Sequence, residues 1–223
     1  MIKVAIFDLD DTLYNELDFV KSGYLAVAQE ISRYVGMKTE DIYLNIWTLY
    51  YENKEFVFDR LLKLYGINNQ YSPEMLLHLY RNHKSNIKLF RDAQYIIKVL
   101  KNKGISLAII TDGNYVSQEN KIRSLNLASY FHLIVYTDKF GKEYWKPHPR
   151  AYKLVLDYFK VKSYEACYIG DNPIKDFIPP NKLGMQTYQI IRSSGLYSKF
   201  TPPSEGKPNK VIYSLEELEE LIL

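Results

Sequence analysis

Short apolar runs recur along the chain, each closing on a polar or small residue. They are KVAIFD (3–8), ISLAIITDG (105–113), HLIVYTD (132–138), ACYIGD (166–171), TYQIIR (187–192) and KVIYS (210–214). Runs of four to six, rich in Val, Ile and Tyr and without polar alternation, fit strands buried on both faces of a parallel sheet. Helical periodicity fills the intervals. Ala93, Ile96, Ile97 and Leu100 share one face of a helix that Gly104 closes. Further helices are predicted over 115–125 and 150–160, and the last one opens with Ser214 and Glu217 at capping-box spacing. Strand and helix in alternation predict an α/β fold, a parallel sheet with helices on both faces.

One segment breaks this rhythm. From Glu16 to Lys84 the pattern is helical throughout, with no strand. Val20, Tyr24, Val27, Ile31 and Tyr34 follow three-to-four spacing up to Gly36, DIYLNIWTLYY continues in kind, FVFDRLLKLYG stops at Gly66, and Ser72-Pro73 supplies an N-cap and a first helical residue. Some 70 residues are too many for a crossover between two strands. The expected organisation is a core domain of 1–15 and 85–223 with an inserted helical domain of 16–84, whose aromatic stripe is core packing rather than a cofactor box. TPPSEGKP (201–208) is expected to be a surface loop.

A chain of 223 residues accommodates such a core and insertion, and 47% hydrophobic with 25% charged residues is an ordinary soluble composition. The net charge of +3 comes without a basic run and gives no support for nucleic-acid binding. Cys167 is the single cysteine, so no intrachain disulfide forms and a reducing, cytoplasmic setting is expected. No apolar stretch approaches 18 residues, and Asp8 and Asp10 interrupt the first apolar run, so neither a membrane span nor a signal peptide is expected. The oligomeric state is not legible.

Four polar clusters fall at the ends of predicted strands: Asp8, Asp10 and Thr12 after the first, Thr111-Asp112-Gly113-Asn114 after the second, Lys146 in WKPHP beyond the third, and Asp171 with Asp176 in GDNPIKD after the fourth. Carboxyl ends of strands line the ligand crevice of an open α/β sheet, so four segments can converge there. Each cluster alone has a plain reading. A DxD caps a turn, TDGN is a turn sequence, one lysine beside proline says little, and Asn172-Pro173 opens a helix. Their order along the chain is what points to chemistry. Aspartates packed as closely as Asp8, Asp10 and Asp11 also repel one another and call for a cation.

As an ordered set, DLDDT (8–12), Thr111, Lys146 and GDNPIKD (170–176) resemble the four motifs of the haloacid dehalogenase superfamily of phosphohydrolases, and the insertion resembles its C1-type cap. The resemblance implies a Rossmann-like sheet with the first strand at its centre. It implies a Mg²⁺-dependent phosphatase acting on a small phosphomonoester through an aspartyl-phosphate. Asp8 is then the nucleophile and Asp10 the general acid and base, oriented by Thr12. Thr111 and the amides of Asp112, Gly113 and Asn114 hold the phosphate, and Lys146 supplies positive charge. Mg²⁺ is bound by the Asp8 carboxylate, the Asp10 carbonyl and the Asp171 carboxylate, with Asn172 behind them and Asp176 either behind them too or paired with Lys146. Asp11, a position where relatives often carry Gly, receives no chemistry. His148 replaces a common acidic residue and reads equally as a helix start or a substrate contact. Asp112 stands where Asn is frequent, and either points away or serves specificity.

A dehalogenase needs no general acid at Asp10, and a receiver domain is about half as long. A phosphomutase shares this machinery, and an inactive scaffold would be expected to lack part of the motif set.

Overall fold

The computed structural model describes every residue except 194, 196, 198 and 199. Among the described residues the strands are β1 (Val4–Phe7), β2 (Ser106–Thr111), β3 (Leu133–Tyr136), β4 (Ala166–Gly170), β5 (Gln186–Ile190) and β6 (Lys210–Ile212). All pair in parallel, in the order β3-β2-β1-β4-β5-β6, with the first strand inside the sheet. The chain leaves β1 towards β2 and β3, then returns to lay β4 on the other side of β1. That reversal is the switch point at which open α/β sheets form a crevice.

Burial on both faces follows from the apolar runs. Successive strand side chains alternate, so Val4, Ile6, Ala108, Ile110, Ala166 and Tyr168 meet one helical layer, which contributes Ala151, Tyr152 and Val155. The alternate positions face the other way, where Phe7 packs edge-on against Phe131 at 6.0 Å. Register sets the depth of the crevice. Phe7 pairs with Ile109 and Ile169, so Asp8 begins level with Ile110 and Gly170, and its N–H donates to the Ile169 carbonyl at 2.8 Å.

The helices are α1 (Glu16–Val35), α2 (Thr39–Glu52), α3 (Val57–Tyr65), α4 (Pro73–Asn82), α5 (Arg91–Asn102), α6 (Tyr115–Ser124), α7 (Arg150–Phe159), α8 (Ile178–Leu183) and α9 (Leu218–Ile222). Several ends form as their sequences dictate. Ser72 accepts from the Met75 N–H ahead of Pro73, and Gly66 and Gly104 take positive φ just beyond α3 and α5. Ser214 and Glu217 cap reciprocally, around a 3₁₀ turn that precedes α9.

Two expectations change. Asn172 and Pro173 do not open a helix; residues 172–176 form turns and α8 starts at Ile178. The turn lets the Asn172 N–H reach back to the Asp176 carboxylate at 3.0 Å, which an immediate helix would not. The stripe of α1 is also shorter than its spacing suggests. Tyr24, Val27 and Ile31 are buried, while Tyr34 is 52% exposed at the helix end.

The chain divides into two compact units, one of residues 1–16 and 87–223 and one of residues 17–86. The second is all helix, with its own core of Val27, Ala28, Ile31, Ile42, Ile46 and Leu61. Its aromatic residues pack among themselves, Tyr24 lying 5.1 Å from Trp47 and 5.7 Å from Tyr80. Among the described residues no helix is long and apolar enough to cross a membrane.

Candidate active site

At the carboxyl end of β1 the Asp8 carboxylate meets the Lys146 ammonium at 2.6 Å, and the same ammonium lies 2.8 Å from Asp176 and 3.0 Å from the Tyr168 hydroxyl. Lys146 and Asp176 have no exposed side-chain surface. Burial opposes the lysine's charge, but Asp176 and Asp8 outweigh it and hold its pKa well above the ordinary value. Lys146 reaches this position from a loop whose own N–H donates to Asp112 at 3.1 Å.

Asp176 is completed by the Asn172 N–H on its second oxygen and the Tyr168 hydroxyl on its first. Gly170 makes that approach possible: a Cβ there would stand 2.4 Å from the Asp176 Oδ2. The glycine of GDNPIKD is thus a close-contact position.

Ligand oxygens of Asp8, Asp171 and Asp176 lie within 4.8 Å of one another, all buried. Burial raises Asp8 to about 7 despite Lys146, with Asp176 adding repulsion. Asp171 is raised well above the carboxylate range, by burial first and then by the charges of Asp8 and Asp176. Asp176 is satisfied by Lys146, whereas among the described residues no hydrogen bond or ion pair serves the Asp171 carboxylate. Buried, mutually repelling, hard oxygen donors are the set a divalent cation such as Mg²⁺ takes.

Asp10 faces a different set of partners. Its Oδ1 accepts from the Tyr14 hydroxyl at 2.5 Å and from Lys121 at 2.7 Å, and its Oδ2 accepts from the Gln118 amide at 2.8 Å. Burial works against its ionised form, yet the Lys121 charge and these three donors bring its pKa below the usual value. Glu16, 3.6 Å from Lys121, is in turn pushed up to about 7, chiefly by the charge of Asp10. The backbone turns between Asp8 and Thr12 through Asp11 at φ 51°, the left-handed region that favours glycine. Asp11 tolerates it while its carboxylate accepts the Glu16 N–H at 2.9 Å and so anchors the start of α1. This gives the residue a structural task.

The remaining sequence candidates separate. Thr111 is buried at the end of β2, and its Oγ1 accepts from Gln118 at 2.5 Å. Gly113 lines the cavity at φ 112°. Asn114 caps α6 by accepting the Ser117 N–H. Asp112 neither points away nor presents free charge: Thr137, Lys146 N–H and Lys175 occupy its oxygens at 2.7, 3.1 and 3.1 Å. Asp112 therefore fastens the lysine loops. Thr12 does not orient Asp10, because its buried hydroxyl has no hydrogen-bond partner among the described residues. His148 accepts the Arg150 N–H at 3.2 Å and takes the helix-start role. Cys167 is an inert thiol, pushed up by burial within β4.

Tyr14, Gln118, Lys121 and Lys175 were not singled out from the chain. For Gln118 and Lys121 the signal lies in α6, where they share the i, i+3, i+4 face of Ile122, a face that is buried. The cavity at this strand end holds about 210 Å³ and is lined by Asp8, Asp10, Asp171, Gly113, Trp145 and Lys175, among others.

The family model described as haloacid dehalogenase-like hydrolase matches residues 5–190. A glyceraldehyde 3-phosphate phosphatase of Methanocaldococcus jannaschii is 31% identical, covering 100% of this chain and 97% of its own. Among solved structures, a 2-haloacid dehalogenase from Pseudomonas syringae pv. Tomato DC3000 superposes with a TM-score of 0.65 at 23% identity, covering 100% of this chain and 98% of its own. A phosphatase from Thermococcus onnurineus gives 0.65 at 21%, covering 99% and 98%.

Proposed function

The chain belongs to the haloacid dehalogenase-like hydrolases, and from that premise we propose that it is a Mg²⁺-dependent phosphatase that cleaves a small phosphomonoester through an aspartyl-phosphate on Asp8. The observation that carries this reading is the division of labour between Asp8 and Asp10. Two carboxylates two residues apart are held by different partners, Lys146 for one and Tyr14, Gln118 and Lys121 for the other. A dehalogenase has no use for the second carboxylate, whereas ester hydrolysis needs a proton delivered and then removed.

In this mechanism the Asp8 carboxylate attacks phosphorus, and Asp10, ionised in the free site and protonated once the negative phosphate lies beside it, gives its proton to the departing ester oxygen. Asp10 then takes a proton from water as that water attacks the aspartyl-phosphate, freeing phosphate and restoring Asp8. Lys146 offsets charge beside the nucleophile, and the Thr111 hydroxyl with the amides that follow binds the phosphate oxygens. The Asp8 and Asp171 carboxylates and the Asp10 carbonyl would hold Mg²⁺, which supplies charge neutralisation for the transferring group. Asp176 and Asn172 support them.

The helical unit of residues 17–86 is assigned the role of a cap. Small-angle scattering should then show compaction when Mg²⁺ and orthovanadate are added together, and unchanged profiles would remove that assignment.

Glyceraldehyde 3-phosphate is the first ester to try, because the Methanocaldococcus relative is named for it. The experiment is phosphate release across a library of small phosphate esters, with Mg²⁺ and with EDTA, for wild type and Asp8→Asn. EDTA-sensitive release that Asp8→Asn abolishes is expected. Full release by Asp8→Asn would overturn the nucleophile, and no release from any ester would overturn the function.

A further inference from the structure

We propose that Gln118 is a positioning residue of this reaction, one amide nitrogen that aligns the Asp10 carboxylate and orients the Thr111 hydroxyl towards the phosphate. The inference rests on the phosphatase reading above and deepens it.

Gln118 is 2% exposed, on the second turn of α6. Its Nε2 lies 2.8 Å from Asp10 Oδ2 and 2.5 Å from Thr111 Oγ1. An ionised carboxylate only accepts, so the nitrogen rather than the oxygen of the amide must face Asp10. That nitrogen has two hydrogens, in one plane and at a fixed angle, and each finds one of these acceptors. Thr111 Oγ1 is thereby an acceptor towards Gln118, and its own hydrogen must go elsewhere. The protein acceptor available to it is the Asp112 carbonyl at 3.5 Å, the outer limit of a hydrogen bond. The hydroxyl hydrogen is thus left for an oxygen brought to the strand end by a ligand.

The local backbone is shaped around this side chain. Gly113 sits against it, and a Cβ there would lie 3.4 Å from the Gln118 Cδ, on a backbone at φ 112° that disfavours side chains anyway. Gln118 therefore ties the segment after β1 to the segment after β2. The group that moves the proton and the group that grips the phosphate share one reference point. Lys121 and Tyr14 hold the other Asp10 oxygen, and the nitrogen that holds this one is shared with Thr111.

The test compares Gln118→Met, equal in length without donors, with Gln118→Glu, which places acceptors against Asp10. Both are assayed on the alkyl phosphate ester that wild type hydrolyses best, whose leaving oxygen needs the Asp10 proton, with Mg²⁺ and with inorganic phosphate as inhibitor. Gln118→Met should lower kcat/KM about tenfold to a hundredfold, the scale of an ångström of misplacement, and should weaken phosphate inhibition. Gln118→Glu should be worse, whereas a packing role predicts that the polar variant is the better tolerated. In a Thr111→Val background the Gln118→Met loss should shrink, because one of its two targets is gone. Wild-type kcat/KM in Gln118→Met, or losses that multiply fully with Thr111→Val, would overturn the role. If Gln118→Met lacks a cooperative melt, Gln118→Glu decides, and wild-type activity there overturns the role equally. Active wild type and inactive Asp8→Asn beside an unaltered Gln118→Met removes this inference alone. Inactive wild type removes the phosphatase reading and this role with it.

Discussion

Lys146 and Asp176 form an ion pair at 2.8 Å in which neither side chain has any solvent exposure. Such a pair contributes little net stability, because desolvation of both ions offsets their attraction. Removing one partner is costly, since the other charge stays buried. Asp176→Asn should therefore destabilise the protein by about 3 kcal/mol, at the lower end of that effect because Asp8 still accompanies Lys146. Chemical denaturation measures the loss. The same variant should also lower kcat/KM, since Lys146 loses the ionic partner that fixes it beside Asp8, and a variant as stable and active as wild type would contradict the pairing.

Asp171 poses the reverse case. Its carboxylate is buried beside Asp8 and Asp176 and is pushed well up in pKa by burial and by those charges. Without a cation it is a source of repulsion. Asp171→Asn should raise the melting temperature in EDTA, abolish the further rise that Mg²⁺ gives to wild type, and lower kcat by about 10²- to 10³-fold, the usual loss of one transition-state charge stabiliser. Thermal melts with and without Mg²⁺ check the first two. A Mg²⁺ response undiminished in Asp171→Asn would place the cation elsewhere.

The helical unit contains a buried histidine whose neighbours fix its proton. His83 Nδ1 is 2.6 Å from the Tyr80 carbonyl, which requires N–H there, and its Nε2 is 2.7 Å from the Ser22 hydroxyl. Burial lowers its pKa from the ordinary value of 6.5, with the Tyr80 carbonyl working the other way. For a base depressed on folding, the unfolded chain binds more protons between the folded and unfolded values. Stability is then intact above about 6.5 and is lost as pH falls below it. His83→Gln should narrow the gap in melting temperature between pH 7.5 and pH 5.5. An equal gap in wild type and variant would mean that His83 does not titrate on unfolding.

The motif residues were legible because a strand end fixes where a side chain goes. Asp8, Thr111 and Asp171 stand at the ends of apolar runs whose register brings them to one end of the sheet, so their strand-end positions made convergence an expectation. Lys146 and Asp176 required the ordered motif set, since neither immediately follows a strand. Gln118 and Lys121 escaped for a physical reason. Polar residues on a helix ordinarily face water, and only the tertiary placement of α6 beside Asp10 buries them. Thr12 failed in the opposite direction. It is near Asp10 in sequence, but beyond the left-handed turn at Asp11 its hydroxyl has no hydrogen-bond partner among the described residues, and the orienting donors come from Tyr14 and α6.

The roles of Asp8 and Asp10 separate most cleanly by leaving group. p-Nitrophenolate needs little protonation to depart, so loss of the acid should barely slow formation of the aspartyl-phosphate. Water attacking that intermediate needs a base, which Asp10 supplies. Asp10→Asn should therefore accumulate phosphoenzyme and release a nitrophenol burst of about one equivalent per site, the mark of a covalent intermediate. Asp8→Asn should give no burst. An alkyl phosphate leaves as an alkoxide that does need the proton, so Asp10→Asn should show neither burst nor appreciable turnover with it. Asn at this position still accepts from Lys121 and Tyr14 through its carbonyl, but its amide nitrogen replaces the oxygen that accepts from Gln118, so that one hydrogen bond is lost. Rapid-quench measurements on both variants read the outcome. Equal slowing of the two substrates with no trapped intermediate would assign Asp10 to holding the backbone turn rather than to moving protons.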